Sequence, residues 1–146
     1  MRVHRGLTVA RPPAEVFALI GDGDRYGTFF AGLTRWERLG GDGERFRILA
    51  CVGPIQAGGV VRVIERQEPE ELAWESEAGV EQSGRWRLEP VGDDDATRVH
   101  LEILFRLRGP GSWLAERLMA RVVGRNMEAT LLAVRRLVEF ERVGAA

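Results

Sequence analysis

From Val3 to Ala10 the side chains alternate. Val3, Arg5, Leu7 and Val9 fall on one side and His4, Gly6, Thr8 and Ala10 on the other, which is the period of a β-strand. Arg11-Pro12-Pro13 breaks the alternation, and proline suits the first turn of a helix, where its missing N–H would have no partner. A short helix is predicted over residues 14–20, with Val16, Phe17, Leu19 and Ile20 on its apolar side. Gly21-Asp22-Gly23 ends it, and Asp24 is placed to cap a second short helix running to about residue 30.

The texture then changes to short strands punctuated by turns. Strands are predicted over residues 34–39 and 44–52, joined by the hairpin signal Gly40-Gly41-Asp42-Gly43. Gly53-Pro54 and Gly58-Gly59 bracket a longer connection, after which strands follow over 60–68 and 72–77, on either side of Pro69-Glu70-Glu71. Strands over 82–89 and 97–108 flank Gly92-Asp93-Asp94-Asp95. In the last of these Val99, Leu101, Ile103, Phe105 and Leu107 share a face, the mark of a half-buried antiparallel strand.

After Gly109-Pro110-Gly111 the period becomes helical to about residue 142, with Ser112 as a predicted N-cap. One stripe carries Ala115, Met119, Val122, Val123, Asn126, Thr130, Ala133, Val134 and Leu137. Arg117, Arg121, Arg125, Glu128, Arg135 and Glu139 oppose it. So long a helix needs a broad partner surface, and the concave face of a curved sheet is the candidate.

This order, with the stretches Leu7 to Phe17, Asp24-Arg25-Tyr26, Val61 to Glu65, Glu68 to Trp74 and Gly109-Pro110 through Glu139, resembles the SRPBCC superfamily of START/Bet v 1-like helix-grip proteins. Within it, the resemblance is to the polyketide cyclase/dehydrase-like branch. It implies an α+β fold in which a seven-stranded antiparallel sheet curls around a long C-terminal helix, with two short helices after strand one. It also implies a cavity between sheet and helix, one domain over residues 1–146, and a small hydrophobic or aromatic ligand. The motifs carrying it are turns, caps and core positions, so they speak for fold more than for function. A sheet wrapped around a helix leaves its wide end either hollow or filled by large side chains, and the sequence leaves both open.

Composition narrows the classes. The chain has 146 residues, and all 21 of its basic residues are arginine, set against 22 acids for a formal net charge of −1. That balance argues against a nucleic-acid binder, which needs a basic excess. One cysteine makes no internal disulfide, and no apolar run is long enough for a signal peptide or a membrane span. The expectation is a cytoplasmic protein without cofactor or metal, monomeric or homodimeric.

Candidate chemistry follows from the inward positions. Trp36, Trp74 and Trp86 sit on three strands with faces predicted inward, joined by Phe46, and bring large apolar area plus an N–H donor on each indole. They either line a pocket or pack a core. Met119 and Val123 from the helix stripe complete that apolar wall. Asn126 and Thr130 interrupt the stripe one turn apart. They either orient a ligand or are satisfied internally, Thr130 by its own helix backbone and Asn126 by a strand carbonyl or water. Arg5 either reaches the cavity mouth to hold an anionic group or snorkels to solvent. Tyr26, Phe29 and Phe30 either rim the entrance or lid the sheet edge. His4 and His100 are predicted outward on neighbouring strands, with no third ligand at recognisable spacing. Cys51 reads as a small hydrophobe.

The primary expectation is binding of a small hydrophobic or aromatic molecule in an internal cavity. The alternative is a polyketide aromatase/cyclase, for which Arg5, Tyr26 and Asn126 are the candidate residues.

Overall fold

A computed structural model describes residues 1–41 and 43–141. The elements run β1 (Arg2–Val9), α1 (Pro13–Ile20), a 3₁₀ turn (Gly23–Arg25), α2 (Tyr26–Phe29), β2 (Leu33–Arg38), β3 (Arg45–Val52), β4 (Ile55–Gln67), β5 (Glu71–Gly79), β6 (Glu81–Val91), β7 (Ala96–Arg106) and α3 (Ser112–Arg136), which ends in a π turn over Leu137–Glu141. The seven strands form one antiparallel sheet in the order β1-β7-β6-β5-β4-β3-β2. The first two strands in sequence are therefore its opposite edges. Six strand spacings make a sheet about 29 Å wide if flat, and the chain crosses that width through α1 and α2. α1 packs on β6 and β7, and α2 on β2. α3, about 37 Å long at 1.5 Å per residue, packs across the concave face.

The core lies between sheet and helix. Val9, Val16, Ile20, Trp86, Val99, Leu101, Met127, Leu131 and Val134 are fully buried there. The buried face of α3 is turned from the expected stripe, however. It runs through Met119, Gly124, Met127, Thr130, Leu131 and Val134, so Met127 and Leu131 replace Ala115 and Val122 at its centre. The reason is that one flank of the helix packs solidly on β1 and β7, while the flank bearing Met119, Val123 and Asn126 borders a hollow. Glycine 124 carries no hydrophobic weight in a sequence pattern, yet it is buried because the Arg5 guanidinium occupies the place of its missing side chain.

Three further expectations are corrected. The predicted connection 53–59 is mostly strand, since β4 begins at Ile55 directly after a tight turn. Gly59 pairs with Gly79, and a side chain on either would collide with the opposing backbone, so these glycines permit a close strand approach rather than a loop. Asp22, not Asp24, caps the second short helical segment, accepting from the Asp24 amide at 3.2 Å, while Asp24 pairs with Arg38 at 2.7 Å. Gly111, in the left-handed region at φ 76°, takes the N-cap place expected of Ser112. The predicted end of the helix at residue 142 lies outside the described residues.

Candidate functional site

The hollow beside α3 encloses about 170 Å³, against the roughly 10–15 Å³ that one water needs on the same measure. Its wall is almost wholly apolar. Val61 and Val63 come from β4, Leu72 and Trp74 from β5, Ile103 and Phe105 from β7, and Met119, Val123 and Met127 from α3. Strand alternation brings the sheet residues to one face, and curvature converges them.

One side is aromatic. Phe46 stacks on Trp36 with ring centroids 4.5 Å apart, Trp36 on Tyr26 at 5.1 Å, and Tyr26 on Phe30 at 5.9 Å. Phe30 then meets Trp74 edge-on at 6.3 Å. These rings are locked by hydrogen bonds and by missing side chains. Trp36 Nε1 donates to the Gly23 carbonyl at 2.7 Å, and Trp74 Nε1 donates to Gln82 Oε1 at 3.1 Å. Phe46 occupies the space a side chain at Gly23 would need.

Tyr26 adds its ring but not its hydroxyl. The phenol donates to the Ile20 carbonyl at 2.5 Å, and burial pushes its pKa above the ordinary 10.0, partly offset by the neighbouring Trp86 indole. A phenol so held has no free proton to offer a guest.

Asn126 supplies an unengaged polar group. Its side chain borders the cavity and lies against Gly32, where a Cβ would stand 2.7 Å from Nδ2. Among the described residues the amide has no hydrogen-bond partner. Thr130 behaves differently. It is fully buried, donates to the Asn126 carbonyl at 2.8 Å and accepts from the Ala31 amide at 2.8 Å. It fastens the segment after α2 to α3 and does not border the cavity.

Two other expected site residues also stand apart from the cavity. Trp86 is fully buried and meets Phe30 edge-on, with centroids 6.4 Å apart, and it does not border the cavity. Arg5 lies on the edge strand against Gly124, donating to Glu128 at 3.3 Å and to the His4 carbonyl at 2.8 Å, so it faces solvent rather than a ligand. The remaining expected residues, Tyr26, Phe30, Trp36, Phe46, Trp74, Met119, Val123 and Asn126, come together around the one hollow.

The description polyketide cyclase / dehydrase and lipid transport fits the chain over residues 1–139. The chain belongs to that family. No curated protein matches it. Solved structures share its fold, among them the following three. A Thermus thermophilus protein shares 21% identity at a TM-score of 0.82, covering 94% of this chain and 97% of its own. The Zhui aromatase/cyclase of a Streptomyces species shares 25% identity at 0.78, with 95% and 93% covered. A START superfamily protein from Mycobacterium smegmatis shares 18% at 0.73, with 94% and 97% covered.

Within this family's frame, the residues missed from sequence are the charged ones. Glu44 and Arg66 border the cavity and also a separate groove on the outside, beside Phe17, Asp22 and Pro69. Arg66 Nη2 donates to both oxygens of Glu44 at 2.8 Å and to the Gly21 carbonyl at 2.9 Å. The cause is a bulge. The β4–β5 register slips between Val63 and Glu65, which sets Arg66 opposite Leu72 on the inner face and leaves Ile64 exposed. Strict alternation would have sent Arg66 to solvent.

His4 and His100 do meet, on the outer face, with Nε2 of one 3.2 Å from Nδ1 of the other. Glu89 Oε1 lies 2.7 Å from His100 Nε2, but out of line for a hydrogen bond, since that nitrogen has no aligned partner. Among the described residues no three potential ligands gather around a metal position, and no helix is long and apolar enough to cross a membrane. Cys51 is a half-buried free thiol.

Proposed function

We propose that this protein binds a small, flat, predominantly apolar molecule in the hollow between sheet and α3. The observation that carries the reading is the unpartnered Asn126 amide set in a predominantly apolar wall with a stacked aromatic side. Apolar contacts supply the affinity, and one amide able to donate or accept fixes orientation, the division of labour expected of a small-molecule pocket. A guest with a carbonyl or hydroxyl at one edge of a ring system satisfies both features, as would a lipid tail bearing one polar group. Native mass spectrometry of protein purified from its own source, with a thermal-shift panel of polycyclic and aliphatic compounds, tests the reading. Retained mass and stabilisation by ring compounds are expected. No retained mass and no shift with any compound would overturn it.

A catalytic reading of the same hollow has one observation in its favour. Arg66 places a cation at the wall, where it could stabilise developing enolate charge, and the Zhui aromatase/cyclase shares the fold at 25% identity. The trio Arg5, Tyr26 and Asn126 does not carry it, because Arg5 is outside the cavity and the Tyr26 hydroxyl is engaged. Ring-closed products formed from a poly-ketone substrate by the parent, and lost in Arg66→Ala, would establish this reading over simple binding.

A further inference from the structure

The first turns of α3 expose what a soluble helix ordinarily hides. Trp113, Leu114 and Leu118 are 63%, 50% and 58% exposed. At 100° per residue they share an arc of about 140° with Arg117, Arg121 and Arg125. The charge here is segregated. Residues 107–127 contain four arginines and one glutamate, a net of +3 in a chain whose total is −1. The single acid is turned away from the patch's charge, since Glu116 accepts from the Leu107 amide at 2.8 Å. Arg117, Arg121 and Arg125 have no ion-pair partner among the described residues, whereas most arginines of the strands are paired.

The β3–β4 turn extends the patch. Gly53 lies beside Val122 of α3, with a Cβ there 3.9 Å from Val122 Cγ2, and the next residues bring Ile55, 52% exposed. Val52 and Ala57 of this hairpin, and Met119 and Val123 from the far side of the same helical turns, line the cavity. The exposed face and the hollow are therefore two sides of one wall.

We infer that this face docks the protein on an anionic lipid bilayer, with Trp113, Leu114, Leu118 and Ile55 entering the headgroup–acyl boundary and Arg117, Arg121 and Arg125 meeting lipid phosphates. A tryptophan and leucines interleaved with unpaired arginines on a helix is the composition of an interfacial segment, and arginine stems cover apolar surface while their heads reach phosphate. A bilayer offers aliphatic groups and negative charge at every point of such a face. A folded partner would have to match each arginine with a placed acid. The inference rests on the apolar-guest reading for its purpose, since a cavity walled by a docked helix can take its guest from the membrane, but not for its test.

Flotation of the untagged protein with vesicles is the experiment. Vesicles of phosphatidylcholine with about a third phosphatidylglycerol should carry the protein, and pure phosphatidylcholine should bind about tenfold less or weaker. Trp113→Ala/Leu118→Ala and Arg117→Glu/Arg121→Glu should each lose about tenfold or more on anionic vesicles. All four side chains are directed at solvent, so both variants should melt as the parent does. No flotation with anionic vesicles, or equal flotation of parent and variants, overturns the inference. So does a concentration-dependent dimer dissolved by Trp113→Ala/Leu118→Ala, which would make the face a self-interface, or an acidic protein that binds it while vesicles do not. Binding of a fluorescent apolar probe in vesicle-free solution scores the cavity separately. Probe binding without flotation condemns the docking alone, and flotation without probe binding condemns the cavity reading alone.

Discussion

The indole of Trp74 lies in the space that any side chain at Gly84 would fill, and the two residues face each other directly across β5 and β6. Gly84→Val should push Trp74 off the cavity wall, break its bond to Gln82 and destabilise the fold by about 1–3 kcal/mol. Urea unfolding followed by tryptophan fluorescence reads this. An unchanged midpoint would mean that the indole has another resting place.

Thr130 joins two segments through one hydroxyl. Thr130→Val keeps the shape but leaves the Ala31 amide without its acceptor, at a cost of about 1–3 kcal/mol. Thr130→Ser retains the hydroxyl and should recover most of the loss. The contrast between the two variants in thermal unfolding isolates the hydrogen bond from the packing.

Tyr26 is the chain's one tyrosine, so its ionisation is spectroscopically unambiguous. Its folded pKa is raised by burial. The neutral form is the one the fold favours, and this contribution to stability is complete below pH 10.0 and lost as the pH rises through the folded value. At about one unit above the ordinary value, native protein should show no tyrosinate absorbance. The signal should appear only together with unfolding. Tyrosinate formation in protein that remains folded would show an accessible phenol.

Asn126→Ala removes an amide that bonds nothing else in the described structure. Stability should therefore move by no more than about 0.5 kcal/mol. Affinity for a guest with a polar edge should fall by about 0.5–1.5 kcal/mol, roughly 2- to 13-fold. Titration calorimetry with a ring compound selected by thermal shift, against its analogue lacking the polar group, checks this. The variant should distinguish the two compounds less than the parent does.

The strands and α3 could be read from sequence because period-two and helical spacing are imposed by burying one face, and turns are marked by glycine and proline. What escaped reading was whatever glycine does away from turns. Gly58-Gly59 looks like a loop, yet it serves a close approach of β4 to β5. Gly124 looks like a gap in a stripe, yet it receives Arg5. The site was partly legible on the same terms. Alternation placed Trp36, Trp74 and Trp86 on one face, but alternation does not say which of them borders the hollow. Trp36 and Trp74 do, while Trp86 is buried against Phe30. Arg66 was unreadable because a one-residue bulge reverses its side, and no letter in Val63-Ile64-Glu65-Arg66 announces it.

Among the described residues, the inner hollow and the outer groove share the side chains of Glu44 and Arg66, with Gly21 and Gly23 as the backbone sill beneath them. Strands bound much of the rest of the cavity, and moving them would unzip a ladder, whereas this partition can be swung aside by torsions about side-chain bonds. On the proposed binding reading, a carboxylate–guanidinium clasp would then set how long a guest fits, and salt that loosens the clasp would lengthen the room.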